Sequence, residues 1–80
     1  MRLTLLTRAY CHLCDEMRAE VIPLAAAAAV PLDEIDVESD PALEARWGDR
    51  VPVLLGGERE LFHYRADRAA LAAYLAGAKP

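Results

Sequence analysis

Apolar positions at the start of the chain alternate and then run together. Leu3, Leu5 and Leu6 stand among threonines, the pattern of a buried strand over Leu3–Thr7. From Cys11 the period changes: Leu13, Met17, Val21 and Leu24 recur at three- and four-residue steps and share one helical face. Pro23 falls inside that pattern and removes a backbone donor, so a kink or break is expected there, and Pro31 stops helix beyond Val30. Leu32–Val37 reads as a second strand with Ile35 and Val37 on one face. Asp40 is a good N-cap and Pro41 suits the first helical position, which predicts a short helix over Pro41–Trp47, ended by Gly48 at C′. Val51–Leu55 is a third, strongly apolar strand. Gly56-Gly57 signals a hairpin, and Glu58–Tyr64 follows as the fourth strand, with Leu61 and His63 facing one way. A last helix over Asp67–Ala76 carries Leu71, Tyr74 and Leu75 on one side, with Gly77 at its end and a frayed tail over 77–80.

The order β-α-β-α-β-β-α predicts an α/β fold. The opening βαβ unit makes its two strands parallel, and the Gly-Gly turn makes the last two antiparallel. The expected product is a mixed four-stranded sheet with helices on both faces, in one domain spanning 1–80. A chain of 80 residues has a thin core.

Charge narrows the partners. The net charge is −4 and the sequence pI is about 5.0. The arginines are scattered and form no basic stripe, so neither nucleic acid nor an anionic membrane is an expected partner. No apolar run approaches the roughly 18 residues of a membrane span. The segment Met1–Arg8 is too short in its apolar part for a signal peptide. The expectation is a cytoplasmic monomer. The acidic group from Asp33 to Asp40 reads as a solvated edge without calcium-loop spacing.

The candidate chemistry is Cys11-His12-Leu13-Cys14, where the first strand hands over to the first helix. Two cysteines three apart at a helix start lie on one side, close enough for a disulfide to open and close with little backbone movement. Unpaired N–H groups and the dipole at that end favour an anion. Cys11 is therefore the expected thiolate and nucleophile, titrating below the ordinary thiol value of about 8.5. Cys14, one turn inward, suits the resolving role. As a staple the bridge would close a tiny loop and stabilise the fold by only ~2 kcal/mol. Arg8, and His12 if protonated, would support the thiolate, whereas Asp15 and Glu16 would oppose it. A metal or iron–sulfur carrier using the same cysteines is the alternative; a cluster needs four donors, so two chains or added glutathione would have to supply the rest. An interaction domain without catalysis is the third reading.

The strand ending in Thr7-Arg8, the Cys-His-Leu-Cys run, Ile35-Asp36-Val37 before a short helix, and Trp47-Gly48-Asp49-Arg50-Val51-Pro52-Val53-Leu54 occur in an order that resembles the glutaredoxin branch of the thioredoxin fold, most of all the short glutaredoxin-like proteins of bacteria. The resemblance implies a thioredoxin-like fold, dithiol–disulfide oxidoreductase activity, and a cis Val51-Pro52 bond facing the cysteines. It implies that Val51 offers its backbone to substrate, and that Arg8 falls where glutaredoxins often carry a lysine near the glutathione carboxylate. Read from their positions in the chain, Tyr10 flanks the substrate groove or covers the core edge, and His12 tunes Cys11 or stands exposed without a role; both join Arg8, Val51 and Pro52 as candidate substrate-binding residues. The implied partners are a disulfide-containing protein or a glutathione mixed disulfide and a thiol reductant system, with no tightly bound cofactor or metal and glutathione as co-substrate. Two departures stand out. Arg50 replaces the usual threonine before Val51-Pro52, and His63-Tyr64-Arg65-Ala66-Asp67 lacks the glycines of the usual Gly-Gly-x-x-Asp element.

Overall fold

The computed structural model describes residues 1–77. Its elements are β1 (Leu3–Thr7), α1 (His12–Ala27), β2 (Leu32–Asp36), a 3-10 turn (Val37–Ser39), α2 (Pro41–Trp47), β3 (Val53–Gly56), β4 (Arg59–His63) and α3 (Arg68–Gly77). The sheet order is β2-β1-β3-β4. β1 pairs parallel with β2, and β3 pairs antiparallel with both β1 and β4. The expected order and mixed sheet are both present. Of the frayed tail expected at 77–80, Gly77 closes α3 and residues 78–80 lie outside the described residues.

Central β1 is covered on both faces because Leu3 and Leu5 bury on one side and Leu6 on the other. Leu3 and Leu5 join Met17, Val21 and Ala25 of α1, Leu54, Phe62, and Leu71 of α3 in one cluster. Leu6 joins Val37, Trp47 and Val53 in a second cluster. Thus α1 and α3 cover one face of the sheet and α2 covers the other.

Several local expectations are corrected. Helix α1 runs unbroken through Pro23 to Ala27. One missing donor is a local loss, and the buried stripe Cys14, Met17, Val21 and Ala25 holds the helix on the sheet to either side of it. That stripe is also rotated from the expected one: Leu13 and Leu24 are only partly buried. Strand β2 stops at Asp36, whose carboxylate accepts the Glu38 N–H at 2.8 Å and turns the chain into the 3-10 segment. Val37 consequently points into the core while Ile35 remains 37% exposed on the edge strand. Strand β3 begins at Val53 and not Val51. A register shift between Leu54 and Leu55 pairs them with Phe62 and Glu60, leaving Leu61 as the extra residue of a bulge. Phe62 is thereby buried and Leu61 packs partly against the same cluster, while His63 faces solvent.

Aspartates cap the starts of α2 and α3. Asp40 accepts the Ala42 N–H at 2.9 Å, with Pro41 in the first turn. Asp67 accepts the Ala70 N–H at 3.0 Å at the start of α3. Gly57 takes φ +63 in the hairpin. Gly48 does not take the left-handed geometry expected of a C′ glycine. Its φ and ψ are −55° and −32°, and what it supplies is space: a Cβ there would meet the Glu44 carboxylate, and the Glu44 carbonyl oxygen at 2.5 Å.

Candidate functional site

Strand β1 ends at Thr7, and the chain turns through Tyr10, whose φ of 57° is left-handed, to reach Cys11. Cys11 is the N-cap of α1 with extended backbone, φ −110° and ψ 108°. Its carbonyl accepts the Asp15 N–H at 3.2 Å, and its Sγ accepts the Cys14 N–H at 3.1 Å. A helix start leaves its first N–H groups without intrahelical partners, and here a sulfur takes one of them. Cys11 and Cys14 are joined as a disulfide with α-carbons 5.2 Å apart. Cys14 is fully buried in the stripe of α1 that faces the sheet, whereas Cys11 is partly exposed. The two sulfurs are therefore inequivalent. One is reachable and hydrogen-bonded by a backbone amide, and the other is shielded.

The Val51-Pro52 bond is cis. Antiparallel pairing of Leu6 with Val53 places the residues before Val53 at the end of the sheet from which β1 leads toward Cys11. Pro52 is fully buried and its carbonyl accepts the Tyr64 N–H at 2.8 Å. Among the described residues, neither the N–H nor the C=O of Val51 has a partner within the chain. A cavity of about 210 Å³ lies between α1 and the turn before α3, lined by Glu16, Met17, Glu20, Tyr64, Arg65 and Ala66.

The charges near the cysteines are paired with one another. Arg8 donates to Glu44 at 2.8 and 2.9 Å, to Glu38 at 2.9 Å and to the Gly48 carbonyl at 2.6 Å. These hydrogen bonds, that to Glu44 foremost, raise the Arg8 pKa and hold the Glu44 carboxyl below its ordinary range. Arg18 binds Glu34 at 2.6 and 2.8 Å and Asp15 at 2.7 Å. The Arg18 hydrogen bond is the main cause of a lowered Glu34 pKa, and burial works against it. His12 lies 2.8 Å from Glu16 and is largely exposed. The expected support of Cys11 by Arg8 and opposition by Asp15 are thus muted, because each of these two charges has an opposite partner at hydrogen-bond distance. What remains directed at the Cys11 sulfur is the helix start itself. Tyr10 is fully exposed, which removes the option that it covers the core edge. Among the described residues, no group of three or more His, Cys, Asp or Glu side chains is placed to hold a metal ion, and no helix is long and apolar enough to cross a membrane.

The sequence profile of the Glutaredoxin-like domain (DUF836) matches residues 2–76. The chain belongs to this glutaredoxin-like family. It is 34% identical over 77 residues to the protein Rv0508 of Mycobacterium tuberculosis, covering 90% of this chain and 79% of the relative. The solution structure of protein Ne2328 from Nitrosomonas europaea superposes with a TM-score of 0.78 at 35% identity, over 91% of this chain and 88% of that one. Thioredoxin 1 of Thermosipho africanus shares the fold, with a TM-score of 0.67 at 20% identity over 98% of both chains.

Seen beside its glutaredoxin-like relatives, the chain holds two residues that sequence reasoning passed over. Tyr64 has φ 66° and bonds the Asp49 carbonyl through its hydroxyl at 2.7 Å. Counting back from Asp67, it occupies the second glycine of the Gly-Gly-x-x-Asp element, so the missing glycine was the available signal. Glu44, the main partner of Arg8, lies in an ordinary helical position and offered none.

Proposed function

We propose that this glutaredoxin-like chain is a dithiol–disulfide oxidoreductase in which Cys11 is the nucleophile and Cys14 the resolving thiol. The observation that carries the reading is the backbone N–H of Cys14 directed at the Cys11 sulfur, which is partly exposed while its partner is buried. In the reduced protein that hydrogen bond and the helix dipole favour the Cys11 anion. The thiolate attacks one sulfur of a substrate disulfide, forming a mixed disulfide and releasing the other sulfur as a thiolate. Cys14 loses its proton and attacks Cys11 Sγ, releasing the second substrate thiolate and closing the Cys11–Cys14 bond. Two electrons and two protons from an external thiol system return the pair to the dithiol.

Within this reading the free backbone groups of Val51, beside cis-Pro52, pair with an extended substrate segment in the manner of an added strand. Tyr10 and His12, both exposed and next to Cys11 in the chain, meet the substrate flanks. A protein disulfide or a glutathione mixed disulfide serves as substrate, with glutathione as co-substrate, no resident cofactor and the cytoplasm as working compartment. Arg8 is bound within the protein on four sides of its fork and is not assigned to substrate.

The test is trapping. Cys14→Ser is expected to accumulate a mixed disulfide on Cys11 with a peptide disulfide, read by mass spectrometry, and Cys11→Ser is expected to form none. Equal trapping by both variants, or by neither, contradicts the assignment.

A further inference from the structure

The loop that carries Val51 and Pro52 is held by donors reaching in from two sides. From the cysteine side, Arg8 stands three residues before Cys11, and its guanidinium donates to the Gly48 carbonyl at 2.6 Å while Glu44 and Glu38 fix its orientation. From the β4 side, Tyr64 donates its N–H to the Pro52 carbonyl at 2.8 Å and its hydroxyl to the Asp49 carbonyl at 2.7 Å. Tyr64 does so with φ 66°, a conformation unfavourable for any residue but glycine. An outlier of this kind persists only where its surroundings over-determine it, which the two bonds to the loop do. The carbonyls of residues 48, 49 and 52 are thus each tied to a side chain or amide outside the loop, while those of Val51 are left open.

We propose that Arg8 and Tyr64 are positioning residues: together they strap the Gly48–Pro52 loop at a set distance from Cys11, so that the free backbone of Val51 meets a substrate segment already in register with the attacking sulfur. The proposal rests on the oxidoreductase reading. Arg8 acts through geometry and not through its charge, which two carboxylates neutralise. Only a planar fork reaches Glu44 in bidentate fashion and the Gly48 carbonyl at once; a lysine offers a point charge without that geometry. Misplacing a reacting group by about 1 Å can lower a rate by about a hundredfold.

The experiment compares two reactions of the reduced protein. One is attack on a glutathionylated hexapeptide, which uses the Val51 backbone. The other is alkylation by iodoacetamide, which reports only the Cys11 thiolate. Arg8→Lys, which keeps a cation beside Glu44 and Glu38 and loses the fork, is expected to slow the peptide reaction by about 10- to 100-fold, with the alkylation rate and its pH profile unchanged. Tyr64→Phe, which removes one tether and leaves the backbone one, is expected to slow the peptide reaction by a smaller factor, again without touching alkylation. Arg8→Lys at the wild-type peptide rate overturns the proposal, as does a parallel fall in both rates, which would place Arg8 in thiolate stabilisation or in folding. If Arg8→Lys does not fold, Tyr64→Phe decides, and its wild-type behaviour overturns the strap. A wild-type protein that reacts with neither peptide nor any small disulfide contradicts the oxidoreductase reading itself.

Discussion

Gly48→Ala separates two opposed accounts of that glycine. Gly48 follows α2 with φ −55° and ψ −32°, ordinary right-handed values. An alanine therefore meets no backbone strain, and by propensity and unfolded-state entropy alone the change stabilises by about 0.5–1 kcal/mol. Packing points the other way. The new Cβ would sit 2.5 Å from the Glu44 carbonyl oxygen and nearer still to the Glu44 carboxylate. The carboxylate can swing aside only by leaving Arg8, and the carbonyl is fixed because it accepts the Gly48 N–H at 2.9 Å. Forcing a methyl into a packed contact of this kind costs about 1–3 kcal/mol. The second effect wins, with a net loss on the order of 1 kcal/mol, equivalent to a fall in Tm of about 4–8 °C for a domain of this size. Thermal melting followed by circular dichroism measures it. Gly77→Ala is the control, since a Cβ there meets nothing within 4 Å among the described residues at the end of α3, and it is expected to leave Tm unchanged or raise it slightly. A Gly48→Ala protein as stable as the wild type, or more so, refutes the packing argument and with it the claim that Glu44 is held in place for Arg8.

Two further outcomes are expected. Glu34 and Glu44 have carboxyl pKa values lowered by their arginines, so between the folded and unfolded values the unfolded chain binds more protons. The stability these groups confer is complete above the unfolded carboxyl value of about 4.3 and is lost as pH falls through the folded values; urea midpoints measured from pH 6 downward should decline, with a shallower decline in Glu34→Gln. Ala29 closes α1 at φ 56°, where glycine is unstrained, so Ala29→Gly is expected to stabilise by about 0.5–1 kcal/mol, read as a higher denaturant midpoint at constant slope.

Features set by neighbours in the chain were legible before any coordinates. The Asp40-Pro41 start, the hairpin after β3 and the placement of Cys11 between strand and helix each depend on a few adjacent residues, and each is present, although the hairpin turn falls on Gly57-Glu58 and Gly56 ends the strand. Features set by distant partners were not. Pro23 is tolerated because Val21 and Ala25 on either side are anchored to a sheet built from other segments. Phe62 takes the core position in place of a strict alternation from Leu61 because of a bulge opposite Leu54. Arg8 looked like a free cation beside the cysteines because nothing in its neighbourhood announces Glu44, 36 residues away. The site divides in the same way: the thiol pair was legible from spacing, while the straps on the Val51-Pro52 loop emerge only when β1, α2 and β4 are assembled.

The central claim is that a helix start turns the Cys11 sulfur into an anion. The most direct measurement is titration of the reduced thiols by ultraviolet absorbance, with Cys14→Ser to isolate Cys11. The account predicts a Cys11 pKa well below the ordinary value of about 8.5, unchanged when Arg8 is replaced by lysine. A Cys11 that titrates like a free cysteine contradicts it.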